Sequence, residues 1–286
     1  MKEDRKMISF NDIGKYSDWP SRLLSNNEFS FRKKTTSEVI REFDKDKWGN
    51  LLSKLNTKKS FKFDDVEIME RDQNELIPCF DKEVGFYLTT IKRAEQRLLK
   101  LYQETIQTHL KNASCLVEFG AGYGSKIIKL SDALEINGLK LFAAEYTNSG
   151  CELIKLISGM LNKQISVGKC DFNSMTVEGI DIPENSIIFT SYALHYTQKL
   201  NTGIVDYFFK FNPKAVIHFE PCYEYLDKRT IHGMMSRRYI EMNDYTKNIA
   251  SSLDDGCKKN NLEFKVNKNI FGSNPFLPIS VIECLP

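Results

Sequence analysis

After Asn112 the chain turns into short apolar runs separated by stretches of helical period. That alternation limits the fold more than any other feature. A strand buried on both faces reads as a continuous apolar run, and two parallel strands can be joined only by a crossover long enough to hold a helix. Strands are expected at Cys115 to Phe119, Lys140 to Glu145, Ile165 to Cys170, Ser186 to Thr190 and Ala215 to Phe219. Helices are expected to start near Ser125, Asn148 and Lys199, with further helical stretches over 223 to 258. The tail then alternates, with Leu262, Phe264 and Val266, a turn at Gly272-Ser273-Asn274-Pro275, and a second run from Pro278 to Ile282. Strands joined by so short a loop are antiparallel. The expected class is α/β: a doubly wound, mostly parallel sheet of seven-stranded type closing on a terminal antiparallel hairpin.

Residues 1–84 read instead as a helical cap. Thr35 and Glu38 are spaced as a capping box, and Ile40, Phe43, Trp48, Leu51, Leu52 and Leu55 recur at helical spacing. A second long helix is expected from Gly85 to Lys111, through Ile91, Ala94, Leu98, Tyr102, Ile106 and Leu110, so the α/β domain is taken as 85–286.

With 40 Lys+Arg against 38 Asp+Glu the net charge is +2, which gives no electrostatic case for a nucleic-acid or anionic-membrane partner. No apolar run approaches the roughly 20 residues that span a bilayer, and the start of the chain has no signal-peptide core. Seven cysteines are an odd number, and Cys151 and Cys170, the nearest pair, are 19 residues apart. Neither a disulfide framework nor a Cys-x-x-Cys metal knuckle is present, which points to a reducing cytoplasm. The sequence sets no oligomeric state.

The chemistry gathers at strand ends. Val117-Glu118-Phe119-Gly120-Ala121-Gly122-Tyr123-Gly124-Ser125 follows a strand and opens a helix, so the backbone can turn tightly and approach a nucleotide-like cofactor, or simply make a tight turn. The spacing is not the G-x-G-x-x-G of nicotinamide enzymes. Glu145 closes the second strand, where a carboxylate can accept from a ribose diol; an ordinary strand-end acid is the alternative. Asp171 closes the third, and with Phe172 beside it could hold an adenine amine and stack on its ring, or serve as a turn residue.

An acid–glycine loop, acids after strands two and three, and a final antiparallel hairpin together resemble the class I, Rossmann-like S-adenosylmethionine-dependent methyltransferases of small-molecule type, over about residues 85 to 286. The resemblance implies that Glu118, Gly120, Ala121, Gly122, Tyr123 and Gly124 surround the methionine part of S-adenosylmethionine. It makes Glu145 the ribose ligand and Asp171, with Phe172, the adenine contact. It also implies a small-molecule acceptor and puts the ends of strands four and five over the transferred methyl. There His195 is the expected base or substrate ligand, unless it is a core histidine, and Glu220 is expected in the same crevice, unless it caps a helix. Tyr192, Tyr196, Glu224, Arg237, Arg238 and Tyr245 are the expected substrate-side residues, the alternative for the later ones being a solvated helix face. Glu220 or Glu224 facing Arg237 or Arg238 would suit a zwitterionic acceptor. His218, within an apolar strand, reads as structural. A metal set of His195, His218, Glu220 and Cys222 can be drawn but is not expected. The rival readings are a peptide or protein side-chain methyltransferase, an NAD-dependent oxidoreductase, and a cofactor-binding module without catalysis.

Overall fold

The computed structural model describes residues 5–25, 35–134, 138–197 and 199–286. Its N-terminal part is helical, with strands at both ends. A short strand β1 (Lys6–Met7) leads through a 3₁₀ turn at Phe10–Lys15 to helix α1 (Trp19–Leu24). A continuous helical rod follows, made of α2 (Thr36–Ile40), a π-helical segment (Arg41–Gly49) and α3 (Asn50–Asn56). It starts where the capping pair predicts: the Glu38 N–H donates to Thr35 Oγ1 at 3.3 Å, and the Thr35 N–H donates to the Glu38 carboxylate at 2.9 Å. Trp48, Leu51 and Leu55 form its buried face, against α4 (Phe63–Glu70) and the α/β core.

Strands β2 (Leu76–Asp81) and β3 (Gly85–Thr90) then form an antiparallel hairpin. The helix expected from Gly85 to Lys111 is therefore corrected to α5, Ile91–Gln107. Phe86, Tyr87, Leu88, Thr89 and Thr90 are bulky or β-branched residues that crowd a helix but fill a pleated surface. Asp81 holds the turn by accepting the Glu83 N–H at 3.1 Å, and Thr90 Oγ1 starts α5 by accepting the Arg93 N–H at 3.3 Å. The boundary drawn at residue 85 thus cuts a hairpin whose two strands belong to the sheet.

The α/β part follows as β4 (Cys115–Phe119), α6 (Ser125–Ala133), β5 (Lys140–Glu145), α7 (Asn148–Met160), β6 (Ile165–Asp171), β7 (Thr176–Glu178) and β8 (Ile187–Ser191). It continues with α8 (Ile204–Phe209), β9 (Ala215–Glu220), α9 (Ile231–Met242), α10 (Ile249–Lys259), β10 (Glu263–Gly272) and β11 (Ile279–Leu285). The helix expected near Lys199 begins at Ile204, because Leu200 is tied to the Asn248 amide and the Gly203 N–H to Asn201 Oδ1, which keeps the intervening residues in a loop. Among the described residues one sheet runs β1-β3-β2-β10-β11-β9-β8-β4-β5-β6-β7. Strands β4, β5, β6, β8 and β9 are parallel, and β11 runs antiparallel to both β9 and β10. Helices α5, α6 and α7 cover one face, while α8 and α10 cover the other. The order leaves β4 in two directions, toward β5 and toward β8, and this reversal opens a crevice at the carboxyl ends of the strands.

Candidate functional site

A cavity of about 450 Å³ occupies that crevice, within the range of roughly 300–1,000 Å³ common for ligand sites. Its floor is the turn after β4. Gly120 and Gly122 have φ of +71° and +58°, a region in which side chains are strained, and both are also tightly enclosed. A Cβ on Gly120 would stand 2.4 Å from Ala193 Cβ, and one on Gly122 would stand 3.0 Å from the Trp48 ring. Trp48 thus brings the N-terminal rod directly over the loop, with its ring 5.3 Å from that of Tyr123. The same rod supplies Asp44, whose carboxylate accepts the Ser149 N–H at 2.8 Å in the first turn of α7.

Glu145, at the end of β5, lines the cavity and is buried. Its Oε1 accepts from the Thr147 N–H and hydroxyl at 3.0 and 2.8 Å, and its Oε2 accepts from the Gly122 N–H at 2.8 Å. One lone pair of Oε2 remains for a ligand. Burial outweighs these bonds and pushes the carboxyl above its ordinary range. Asp171 and Phe172 border the cavity after β6, with Asp171 accepting from the Asn173 N–H and the Ser174 hydroxyl.

Two expected loop residues do not reach the cavity. Gly124, at φ +80°, begins α6 and packs on Ile154. Glu118 lies beneath the loop, accepting the Ile127 N–H at 3.1 Å with Lys126 Nζ 3.4 Å away; burial pushes its carboxyl up to about 7. An alternating strand points Glu118 into the fold, and its carboxylate secures the start of α6.

At the ends of β8 and β9 the structure joins His195 and Glu220 into one unit. Glu220 is fully buried and accepts the Ala193 and Leu194 N–H groups at 2.9 and 3.1 Å. Its Oε2 lies 3.4 Å from His195 Nδ1. Burial alone would raise the Glu220 carboxyl, but the His195 ring and the two amides hold it below its usual value. A carboxylate there fixes the His195 proton on Nδ1 and leaves Nε2 as an acceptor. Nε2 is buried without a hydrogen-bond partner, and the His195 ring borders the cavity. Tyr196 and Tyr245 enclose that ring at centroid distances of 4.0 and 4.6 Å, and Tyr192 stands 5.9 Å away.

The expectation that Glu220 enters the crevice beside His195 is therefore corrected: it stands behind the histidine. The substrate-side roles of Glu224, Arg237 and Arg238 are corrected as well, since none of the three lines the cavity. Glu224 accepts the Ser251 N–H in the first turn of α10. Arg237 lies 3.7 Å over the Tyr223 ring and donates to the Tyr223 and Leu226 carbonyls, so the helix packing consumes its charge. His218 Nδ1 pairs with Thr190 Oγ1, and burial lowers this imidazole to about 4.

The sequence reading missed one charged wall of the cavity. Lys47, Glu70 and Arg71 from the N-terminal region meet Glu95 of α5 and Lys126 and Lys129 of α6. Arg71 pairs with Glu95 and Glu70, and Lys129 with Glu95 and Glu67. These residues sit on the polar faces of helices, where their spacing is that of any solvated face, and only the docking of the rod reveals their position.

No protein family profile matches the chain, and no curated protein matches it by sequence. Solved structures do. Magnesium protoporphyrin IX methyltransferase from Synechocystis PCC 6803 with bound SAH aligns over 88% of this chain and 99% of that one, at 10% identity and a TM-score of 0.53. Geranyl diphosphate C-methyltransferase from Streptomyces coelicolor A3(2) aligns over 66% of this chain and 81% of that one, at 10% identity and a TM-score of 0.47. PigF with SAH aligns over 62% of this chain at 15% identity and a TM-score of 0.45, and the aligned part spans about half (51%) of PigF. The fold is that of the class I S-adenosylmethionine-dependent methyltransferases.

Among the described residues no helix is long and apolar enough to cross a membrane, and no group of three His, Cys, Asp or Glu side chains is placed to hold a metal ion.

Proposed function

We propose that this chain binds S-adenosylmethionine and transfers its methyl group to an oxygen or nitrogen of a small molecule. The observation that carries the reading is the convergence, in one cavity, of a glycine turn, two strand-end carboxylates and a histidine with an unpartnered nitrogen. The lining suits the cofactor piece by piece. The mixed wall of Lys47, Glu70, Arg71, Glu95, Lys126 and Lys129 matches a zwitterionic amino-acid end, the free lone pair of Glu145 matches a ribose hydroxyl, and Asp171 with Phe172 matches a purine. When bound, S-adenosylmethionine supplies a methyl group activated by a sulfonium.

The chain's own residues then have three tasks. Trp48, Phe43 and the rest of the rod cover the cavity and exclude water. Glu220 keeps the His195 ring from turning and stabilises the imidazolium that forms when Nε2 takes a proton from the acceptor. Burial pushes the phenols of Tyr192, Tyr196 and Tyr245 well above their ordinary value, so they stay protonated and leave His195 as the base. The seven cysteines are free and buried, which fits a cytoplasmic setting.

Calorimetry tests the reading. The demethylated product, S-adenosylhomocysteine, should bind in the micromolar range while NAD and NADP do not. Tighter binding of either dinucleotide would overturn it in favour of hydride transfer.

A further inference from the structure

We infer, resting on the methyl-transfer reading, that the acceptor is a neutral aromatic hydroxyl compound, a phenol, whose ring lies among the tyrosines and whose O–H meets Nε2 of His195. Charge is the first argument. The cations and acids lining the cavity stand on the rod, the end of α4, α5, α6 and the ends of β5 and β6, whereas the lining residues that follow β8 and β9 include no Asp, Glu, Lys or Arg. Tyr192, Tyr196, Tyr239 and Tyr245 make up that end with Asn274 and Leu277. The ions that would have held a zwitterion, Glu224, Arg237 and Arg238, are placed elsewhere. An anionic reacting group would enter a desolvated place beside the buried Glu220 carboxylate, with no lining cation at that end to pair it.

The second argument is the orphan nitrogen. A buried acceptor without a donor costs roughly 1–3 kcal/mol, and a hydroxyl proton relieves that cost. A carboxylate has no proton to offer at neutral pH. An ammonium does have protons to offer, but it must shed its water to reach Nε2, and no carboxylate lines this end of the cavity to accept its other hydrogens.

The third argument is acid strength. A free imidazole has a pKa of about 6.5 and a phenol about 10, so proton transfer is uphill by about 3.5 units. An aliphatic hydroxyl is close to water, at about 15.7, so the same transfer is uphill by about 9 units. Histidine–carboxylate pairs do serve aliphatic hydroxyls, as in serine hydrolases, but a phenol asks far less of the base.

Ring geometry agrees with this. Phe43 meets Tyr196 edge-on at 4.8 Å and Tyr245 meets His195 at 90°, so this end of the cavity is lined by aromatic side chains against which another ring can pack. In the step itself the hydroxyl proton passes to Nε2 as an oxygen lone pair forms the bond to the methyl carbon. The carbon–sulfur bond breaks with its electron pair on sulfur. Sulfur ends neutral, and the positive charge ends on the His195 imidazolium beside Glu220.

The test uses full-length protein saturated with S-adenosylhomocysteine and the probes 2-naphthol, cyclohexylmethanol, benzylamine and benzoate, by calorimetry and by nitrogen NMR of the His195 ring. The expected result is that 2-naphthol binds at least tenfold tighter than the other three and shifts the Nε2 signal. Tyr196→Leu and Tyr245→Leu should each weaken it about tenfold with homocysteine-product binding unchanged. Tightest binding by the amine, the carboxylate or the alcohol would overturn the inference, as would naphthol binding that leaves the His195 signals unmoved. Product binding without any naphthol binding would sink the phenol and spare methyl transfer; absence of product binding would sink the methyl-transfer reading itself.

Discussion

Replacing Glu220 by Gln keeps the shape of the side chain and should nearly abolish turnover. The carboxylate accepts the Ala193 and Leu194 N–H groups through Oε1, while Oε2 shares the Ala193 N–H at 3.1 Å and faces His195 Nδ1 at 3.4 Å. In the variant the amide oxygen must stay on the Ala193 and Leu194 side, since the opposite flip would set an NH₂ against two donors. The NH₂ then faces His195 and donates to Nδ1. The ring proton moves to Nε2, and the base is lost. Charge adds a second effect: an imidazolium and a carboxylate about 4 Å apart attract by about 4 kcal/mol at an effective dielectric of about 20, or about 10³-fold in rate. Turnover in Glu220→Gln should therefore fall by about three powers of ten with whichever acceptor supports wild-type activity, while S-adenosylhomocysteine affinity stays within about twofold. Nitrogen NMR should find the ring proton on Nδ1 in the wild type and on Nε2 in the variant. A raised KM with turnover intact would instead make Glu220 a substrate-binding anion and refute the reasoning.

Glu145→Ala should weaken S-adenosylhomocysteine binding by about 2–3 kcal/mol; it should also lower the Tm of the free protein, because the Gly122 and Thr147 N–H groups lose their buried acceptor. Calorimetry showing unchanged affinity would remove Glu145 from the site. Glu118 holds a proton in the folded state up to about pH 7 that the unfolded chain loses near 4.5, so its contribution to stability should fall by ~3 kcal/mol as pH rises through that window. Urea unfolding at pH 5 and pH 8 should show this fall shrinking in Glu118→Gln, and an identical pH dependence in both proteins would disprove it. Trp48→Ala removes the ring over Gly122 and should cost about 3–5 kcal/mol of packing, weaken S-adenosylhomocysteine binding at least tenfold and open residues 35–70 to protease. Unaltered binding would show that the rod merely rests on the loop.

The legible parts of the sequence were those where one residue does one local job. The central parallel strands β4, β8 and β9 are legible as apolar runs because they are buried along their whole length, and Thr35 with Glu38 marks a helix start through two short-range bonds. Gly120, Gly122, Glu145, Asp171 and His195 could be placed in one crevice because the topology brings the carboxyl ends of neighbouring strands together. Where a residue's task depended on a distant element, the reading failed. Glu220 and Glu118 are acids at the right strand ends, but whether such a side chain faces the cavity or the fold depends on strand register and on which amides lie nearby. Arg237 reads equally as a ligand group or as part of a solvated helix face, because nothing in a linear chain announces that Tyr223 lies beneath it. The hairpin of β2 and β3 was read as helix on its second strand, since the apolar spacing of α5 continues smoothly backward into Tyr87 and Leu88.

That hairpin also fixes an order of events during synthesis. Strands β2 and β3 are adjacent in the chain and pair with each other, and Arg97, 16 residues past Asp81, binds its carboxylate at 3.0 Å, so all of these partners are made early. The other neighbour of β2 is β10, through Asp81 with Phe271 and Phe80 with Gly272. At about 5–20 residues per second the ribosome needs roughly 10 to 40 s to travel from one to the other. Throughout that interval one edge of the hairpin carries unpaired backbone groups open to any passing strand. Newly made chains are therefore most exposed to aggregation and chaperone capture after β2 is made and before β10, and a ribosome stalled between Gly124 and β10 holds every residue of the glycine turn but no finished sheet.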